Sequence, residues 1–206
     1  MGLARGVSRR GRPLPVAFYR RDPLEVAPDA LNKVLESSVG NDIVRVRIVE
    51  VEAYRGSHDP ASHAYRGETP RNTSMFGPPG RLYVYFTYGM HWCANVVCDR
   101  EGIGHAVLLR AAAPLAGLDV IRQRRGPKHR DRDLLAGPAR LTQALGITGD
   151  LDGTDLRRRP LRLLDDGVPP PERPATGRRV GISVAVDEPW RYCVPGDPNL
   201  SRPRAF

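Results

Sequence analysis

Alternating apolar residues over positions 82–113 are the feature that most constrains the fold of this chain. In the first part of this segment, large apolar residues at 82, 84 and 86 alternate with Tyr83 and Tyr85, which is typical of a strand with one face on a core. Breaks at Tyr88-Gly89 and over 99–104 leave three strands, at 82–87, 92–98 and 105–113. Three consecutive short strands joined by turns predict an antiparallel meander.

A second alternating run, over 43–54, changes phase partway. Its apolar residues occupy even positions up to Ile48 and odd positions from Val49 onward. Because strand side chains alternate between faces with period two, this change predicts a β-bulge or bend near Ile48. Past the bulge, Glu50, Glu52 and Tyr54 are expected to share the face opposite the apolar side chains.

Three helices are predicted around these strands. Asp29 is a candidate N-cap for an apolar spacing that predicts a helix ending at Gly40. Similar spacings predict helices over 115–125 and 134–145, and Pro138 is tolerated in the latter only if the regular helix starts there.

The remaining segments indicate one domain preceded by an arm. Residues 55–81 are rich in Gly, Pro, Ser and Thr and predict a long loop, whereas 180–186 alternate and predict a last strand before an irregular tail over 190–206. Residues 1–15 are basic and lack periodicity, so we expect a flexible basic N-terminal arm followed by a single domain over 16–206.

The charge of the chain points to a polyanionic partner. Lys plus Arg number 32 against 23 Asp plus Glu, which gives a formal net charge of +9. Such an excess predicts binding to nucleic acid before membrane. A GC-rich genome would explain why most of the basic residues are Arg, but not the positive sum. The arginine-dense segment 122–132 either follows a phosphate backbone or is a solvated loop.

Composition also predicts the cellular compartment of the protein. No apolar run approaches the roughly 20 residues of a membrane span, and the basic N-terminus lacks the apolar segment of a secretory signal. The three cysteines include no CxxC pair, which indicates buried thiols in a reducing compartment and not disulfides or a zinc site. We therefore expect a cytoplasmic protein without a membrane partner.

Glu52 is the first candidate for chemistry. A glutamate just past a bend, beside Tyr54 and near a histidine-bearing loop, suits a partly buried general base, although a surface glutamate on an exposed strand face is the commoner arrangement. His58, His63 and Asp59 suggest a metal site, but the H-x4-H spacing falls in a Pro-containing loop and no H-E-x-x-H is present. Hydrogen-bonding histidines, with no metal and no cofactor, are the favoured interpretation.

The tyrosines of the meander suit base stacking. Aromatic faces bind any nucleobase, although Tyr83, Tyr85 and Tyr88 taken alone are more often half-buried strand residues. Tyr88 stands at a turn, where an aromatic side chain can project outward as a wedge. Asn95 and Arg110 lie on the neighbouring predicted strands, where an amide can contact a base edge and a guanidinium can hold a phosphate or orient a water.

Together these residues resemble the alkyladenine, or 3-methyladenine, DNA glycosylase family. Several motifs occur in one order over about 18–202, nearly the whole chain except the arm. They are Val51-Glu52-Ala53-Tyr54, His63, Thr69-Pro70-Arg71-Asn72, Met75-Phe76, the segment 82–90, Cys93-Ala94-Asn95-Val96, the segment 107–111, Gly137-Pro138-Ala139-Arg140-Leu141 and Arg179-Val180-Gly181-Ile182.

The resemblance implies an α+β fold: a single mixed domain with a curved antiparallel β-sheet flanked by helices, similar to the C-terminal domain of methionyl-tRNA formyltransferase. It also implies a monofunctional enzyme, working as a monomer, that excises alkylated purines from double-stranded DNA. Whether deaminated purines are also substrates, and the lesion range in general, stay open.

Roles for individual residues follow from the same resemblance. Glu52 would activate the water that attacks the sugar C1′, with Arg110 and the backbone carbonyl of Val180 as the other contacts of that water. The other matching residues would handle the base: Tyr54, His63 and Tyr85 enclose the extruded nucleotide, Asn95 disfavours the amine of normal guanine, and Tyr88 fills the gap left in the duplex.

Two alternatives remain at this point. One is a non-catalytic nucleic-acid-binding domain of the formyltransferase C-terminal type, against which Glu52, Arg110 and Tyr88 argue together. The other is a metal-dependent hydrolase that uses the two histidines and the aspartate of the 55–81 loop.

Overall fold

Two pairs of α-helices flank a run of five consecutive strands along the chain. A computed structural model describes residues 11–202. The strands are β1 (Arg12–Pro13), β2 (Val34–Ser37), β3 (Val44–Arg55), β4 (Leu82–Thr87), β5 (His91–Cys98), β6 (His105–Ala116), β7 (Leu161–Asp165), β8 (Ala175–Gly177) and β9 (Arg191–Cys193). The α-helices are α1 (Val16–Tyr19), α2 (Pro23–Ala30), α3 (Leu118–Arg125) and α4 (Pro138–Leu145).

The strands form one antiparallel sheet in the order β1-β7-β2-β3-β6-β5-β4. β9 also pairs with β3, and β8 pairs with β9. The predicted meander is confirmed, because β4 pairs with β5 and β5 with β6. The expected α+β fold, with one curved antiparallel sheet flanked by helices, is confirmed as well.

Along one of its edges, β3 changes its pairing partner partway. Its first half pairs with β2 and its second half with β9, while β6 runs along its other edge. The predicted bulge is confirmed, because the β3–β6 register shifts between Ile48 and Glu50. Val49 has no partner in this register, and a second shift beside Glu50 leaves Arg110 of β6 unpaired in the same way. Bulges bend a strand and redirect its side chains.

The two faces of the sheet carry different residues, as period-two alternation requires. Leu82, Val96 and Leu109 lie on the face that belongs to the main apolar core, on which α2 and α4 pack. Tyr83 lies on the opposite face, where it packs with Met75 from the long loop over 56–81. The predicted loop thus covers the second face of the meander and leaves part of it open as a cleft.

The prediction of a helix from Asp29 to Gly40 is wrong. The helix α2 occupies Pro23–Ala30 instead, and Asp22 caps it by accepting a hydrogen bond from the backbone N–H of Leu24 at 2.9 Å. Residues Val34–Ser37 are strand β2, which is buried throughout between β3 and β7. A short apolar run fits a helix and a fully buried strand equally well, and only the pairing partners decide between them.

The other two helices lie within their predicted segments. The helix α4 starts at Pro138, as the position of that proline requires. The helix α3 starts only at Leu118, because β6 continues to Ala116.

The prediction of a strand over 180–186 is also wrong. The positive φ of Gly181 (81°) and of Ala185 (49°) interrupts the extended conformation. The residues therefore lie in an irregular segment, 178–187, which we call the strap. The predicted irregular tail contains strand β9, whose pairing with β3 was not evident from its three residues. Most of the predicted arm, 1–10, lies outside the described residues. Near its end, Arg12–Pro13 form strand β1, which pairs with β7.

Most arginines of segment 122–132 bond within the protein. Arg122 pairs with Asp131 at 2.8 Å, and Arg124 donates to the carbonyl of Val39 at 2.8 Å. Arg125 donates to the carbonyl of Leu134 at 3.0 Å. These contacts tie α3 to the loops around it and leave fewer free cations for a phosphate backbone. Within residues 11–202, none of the helices is both long and apolar enough to cross a membrane.

Candidate active site

A cleft of about 750 Å³ opens on the face of the meander opposite the main core. All predicted site residues except Glu52 line it, and they come from β3, the 56–81 loop, β4, β5, β6 and the strap. Those lining residues are Tyr54, His63, Tyr85, Tyr88, Asn95, Arg110 and Val180. Segments far apart in sequence therefore meet at one concave surface, as in most small-molecule and catalytic sites.

Glu52 lies just beneath the lining of this cleft. It is fully buried, and three lining residues bond to its carboxylate. The Val180 N–H donates to Oε1 at 2.8 Å, Arg110 lies 3.2 Å from the same oxygen, and the Tyr54 hydroxyl donates to Oε2 at 2.9 Å. Burial raises the pKa of Glu52, although Arg110, the Val180 N–H and Tyr54 all lower it. A carboxylate in this state accepts a proton more readily than an exposed glutamate.

Glu50 is equally buried but is enclosed on every oxygen by structural partners. Its Oε1 accepts from Arg110 at 2.7 Å, Arg191 at 2.9 Å and the Ser201 hydroxyl at 2.7 Å, and its Oε2 accepts from the Ser201 N–H at 2.6 Å. Burial alone would raise the pKa of Glu50, but Arg110, Ser201 and Arg191 together lower it. Neither Arg191 nor Ser201 lines the cleft, so Glu50 lies on the far side of Arg110.

Arg110 joins the two glutamates because of its place in the bulge. The register of β3 and β6 leaves it unpaired beside Glu50, and its side chain reaches both carboxylates. Burial would lower the pKa of Arg110, but Glu52 and Glu50 outweigh burial and raise it. Arg110 therefore stays charged and presents a fixed cation at the end of the cleft.

Aromatic rings form the walls above Glu52. His63 and Tyr85 meet edge-on, with ring centroids 4.5 Å apart, and Tyr83 stacks behind Tyr85 at 5.6 Å. The Tyr83 hydroxyl lies 3.0 Å from His63 Nδ1 and holds that ring in place. Burial and the nearby Arg71 lower the pKa of His63, so its imidazole is neutral at neutral pH. Flat, mostly uncharged walls of this kind suit a planar heterocycle.

Asn95 stands on the wall between the rings and β6. Its side-chain amide donates to the carbonyl of its cross-strand partner Tyr83 at 3.2 Å, and it pairs on the other side with Leu108. Asn95 is nearly fully buried where it lines the cleft, and the hydrogen bond to Tyr83 fixes the orientation of its amide.

Tyr88 lies at the tip of the β4–β5 hairpin and is 80% exposed. Its φ of 50° is rare for a residue with a large side chain, and Gly89 follows with φ of 65°. Two consecutive left-handed residues make a tight turn that points the Tyr88 ring outward from the mouth of the cleft.

The strap, residues 178–187, forms the remaining wall. Val180, Gly181 and Ile182 line the cleft, and the Val180 N–H reaches Glu52. The resemblance implies a role for the Val180 carbonyl, whereas the Val180 N–H is the group that contacts Glu52. It implies no role for Arg179, which anchors the strap to the 56–81 loop by an ion pair with Asp59. The two residues are 120 positions apart, and no local pattern signals such a pair.

The proposed metal ligands are not brought together. Asp59 pairs with Arg179, His63 bonds to Tyr83, and His58 is exposed. Across 11–202, no group of three or more His, Cys, Asp or Glu side chains is arranged to hold a metal ion.

Comparison with known proteins gives a consistent result. A family model described as methylpurine-DNA glycosylase matches residues 17–198. A protein of Burkholderia lata, provisionally named 3-methyladenine DNA glycosylase, is 55% identical over 195 residues, which cover 94% of this chain and 93% of that protein. Proteins of the same name from Methanoculleus marisnigri and Streptomyces avermitilis are 50% and 47% identical. The first alignment covers 92% of this chain and 98% of the relative, the second 94% and 92%.

Proposed function

The chain belongs to the methylpurine-DNA glycosylase family and is a DNA glycosylase of base-excision repair. From this premise, we propose that it extrudes alkylated purine nucleotides from duplex DNA into the cleft and hydrolyses their N-glycosidic bond with a water activated by Glu52. The observation that carries the proposal is the buried Glu52 carboxylate, which bonds to three residues that line an aromatic cleft.

In the proposed reaction, a water lies between Glu52, Arg110 and the Val180 carbonyl. Glu52 accepts one proton from this water as the oxygen bonds to C1′ of the sugar. The bond from C1′ to the purine nitrogen breaks, and its electron pair leaves with the base. An N-alkylated purine carries a positive charge that this electron pair neutralises, so the base leaves without help from an acid. The products are the free purine and an abasic site.

Recognition of the base rests on the walls of the cleft. Tyr54, Tyr85 and His63 enclose the purine, and the electron-rich rings attract a cationic alkylated base by about 0.5–2 kcal/mol per ring. The Asn95 amide on the wall would meet the exocyclic amine of normal guanine and disfavour it. Neutral deaminated purines lack the cation–π attraction, so we expect slower excision of them.

Extrusion of the base costs a few kcal/mol, and the cost is least for damaged or mispaired bases. The outward Tyr88 ring at the mouth of the cleft is proposed to enter the duplex and replace the lost stacking. The net charge of +9 favours binding to the phosphate backbone.

Water is the proposed nucleophile, so the enzyme would be monofunctional. Glycosylases that also cleave the backbone attack with an amine. The chain has two lysines, Lys33 and Lys128, and neither lines the cleft as far as the described residues extend. Lys33 is nearly buried and pairs with Asp165 at 3.1 Å.

Release of 7-methylguanine from a defined duplex tests this proposal. Excess enzyme is incubated in strong chelator with a duplex that carries one 7-methylguanine, and the free base and alkali-labile abasic sites are measured. We expect both products and no strand cleavage before alkali. DNA binding without release would favour the non-catalytic nucleic-acid-binding domain, and loss of release in chelator would favour a metal-dependent hydrolase.

A further inference from the structure

Arg179 is a buried cation with several close contacts, although its Nε has no hydrogen-bond partner among the described residues. Its guanidinium bonds to both carboxylate oxygens of Asp59, at 2.5 and 2.9 Å, and to the Ala53 carbonyl at 3.0 Å. Neither charged side chain is exposed. Because burying two charges costs about as much as their attraction returns, such a pair contributes little net stability.

The guanidinium also lies between two aromatic rings. Its central carbon is 4.6 Å from the centroid of Tyr54 and 5.0 Å from that of Trp190. Tyr54 lines the cleft and Arg179 does not. Arg179 therefore supports the Tyr54 ring from behind and does not reach a base held in the cleft.

The contacts of Arg179 and Val180 fall on three consecutive residues of β3. Val180 donates to Glu52, Arg179 donates to the carbonyl of Ala53, and Arg179 stacks on the ring of Tyr54. Arg179 and Val180 are neighbours in sequence, so the position of the Val180 N–H depends on the contacts that Arg179 makes with Asp59 and Ala53. The other ion pair of the strap among the described residues, Arg178–Asp187, has side chains that are 73% and 81% exposed, so it holds this segment only weakly.

We propose that Arg179, paired with Asp59, is a positioning residue that holds the Val180 N–H on the Glu52 carboxylate and the Tyr54 ring against the cleft. The inference rests on the proposed role of Glu52 as general base. Arg179 would act only through Glu52 and Tyr54, without touching the DNA.

The expected signature is a change in the pH dependence of excision. The Val180 N–H lowers the pKa of Glu52, so loss of this hydrogen bond raises that pKa further. The charged and titratable groups that face Glu52 are Arg110 from β6, Arg191 from β9, Arg179 from the strap, Tyr54 from β3, Tyr85 from β4 and Cys93 from β5. Removal of the Arg179 charge acts in the same direction as loss of the N–H. The acid limb of the excision rate should therefore move to higher pH by about one unit.

The experiment compares wild type, Arg179→Met and Arg178→Met under single-turnover conditions with saturating enzyme. Methionine fills the space between the two rings but cannot bond to Asp59. The control makes the same substitution one residue earlier, in the exposed pair with Asp187. Excision of 7-methylguanine is measured from pH 5 to pH 9, a range of about four units chosen to span a raised carboxyl pKa. The double variant Arg179→Met/Asp59→Asn leaves no lone buried charge and provides the same test if the single variant does not fold.

We expect the acid limb of the Arg179→Met enzyme to shift upward, with the rate approaching wild type at high pH, and that of Arg178→Met to stay in place. A rate that falls equally at every pH would mean a purely structural role and would overturn the inference. An unchanged profile would overturn it too, while leaving the proposed function intact. A wild-type protein that releases no base would overturn the proposed function and this inference with it.

Discussion

Glu50 and Glu52 lie two positions apart on β3 and are both fully buried, yet their surroundings move their pKa values in opposite directions. Arg110 contacts both, but Glu50 also bonds to Arg191 and Ser201, whereas the other partners of Glu52, Val180 and Tyr54, line the cleft. The fully bonded acid is stabilised as an anion and holds Arg110. The other acid keeps a higher proton affinity. Neighbouring carboxylates with separated pKa values are a common basis for assigning catalytic roles.

The first prediction concerns the pH dependence of the wild-type enzyme. Glu52 must be ionised to accept a proton from water, and burial raises its pKa above that of an ordinary glutamate, about 4.3. The single-turnover rate on 7-methylguanine should therefore rise with pH through an apparent pKa above that value. His63 has a lowered pKa and should not add a second step near its ordinary value. A rate that is already maximal at about pH 4.3 would contradict the assignment.

The second prediction concerns stability. The folded-state pKa of Glu52 is raised, so stability present below its unfolded pKa is lost as the pH rises through the folded value. Glu52→Gln avoids this loss and should unfold with a higher free energy than wild type at neutral pH. The gain is about 1.4 kcal/mol for each unit by which the pKa was raised, and it should shrink on acidification.

Glu50→Gln provides the matched comparison for that measurement. The folded pKa of Glu50 is lowered, so its contribution is present above its unfolded pKa and is lost as the pH falls through the folded value. The Glu50→Gln variant should therefore be less stable than wild type at neutral pH. Chemical denaturation at several pH values measures both effects. Equal destabilisation by the two substitutions would show that the two carboxylates are not distinguished in this way.

The third prediction concerns Tyr88. Its exposed ring makes little contribution to the folded state, so Tyr88→Ala should leave the unfolding free energy nearly unchanged. Binding to a lesion-containing duplex should weaken by about 1–3 kcal/mol, the usual contribution of one stacked base. Tyr65→Ala is the control, because Tyr65 is 46% exposed but does not line the cleft. Comparable losses of affinity in the two variants would indicate that the Tyr88 ring does not stack in the duplex.

The alternating segments were predictable from the sequence because their pattern and their environment agree. The meander over β4, β5 and β6 has one face on the core and one on the cleft, and period two captures this directly. The phase change near Ile48 likewise predicted the bulge. It did not predict that Arg110 on the partner strand would also be left unpaired, because register depends on both strands.

Features that depend on distant partners were not predictable. Val34 and Leu35 have a spacing that suits a helix, but pairing on both edges makes the segment a strand. Nothing local separates Glu50 from Glu52, since the distinction comes from Arg191, Ser201 and the strap, more than 120 positions away. The Arg179–Asp59 pair was hidden for the same reason.

The most direct test of the account is excision by Glu52→Gln alongside its affinity for the lesion. Glutamine preserves the shape of the side chain and an acceptor for the Val180 N–H, but it cannot take a proton from water. With a duplex carrying one 7-methylguanine, we predict that release of the base falls by a factor of about 10³ or more, close to the limit set by spontaneous loss. The dissociation constant for the same duplex should stay within about threefold of wild type, since no contact to DNA is removed. Release at the wild-type rate by a folded Glu52→Gln protein would contradict the central claim that Glu52 activates the water.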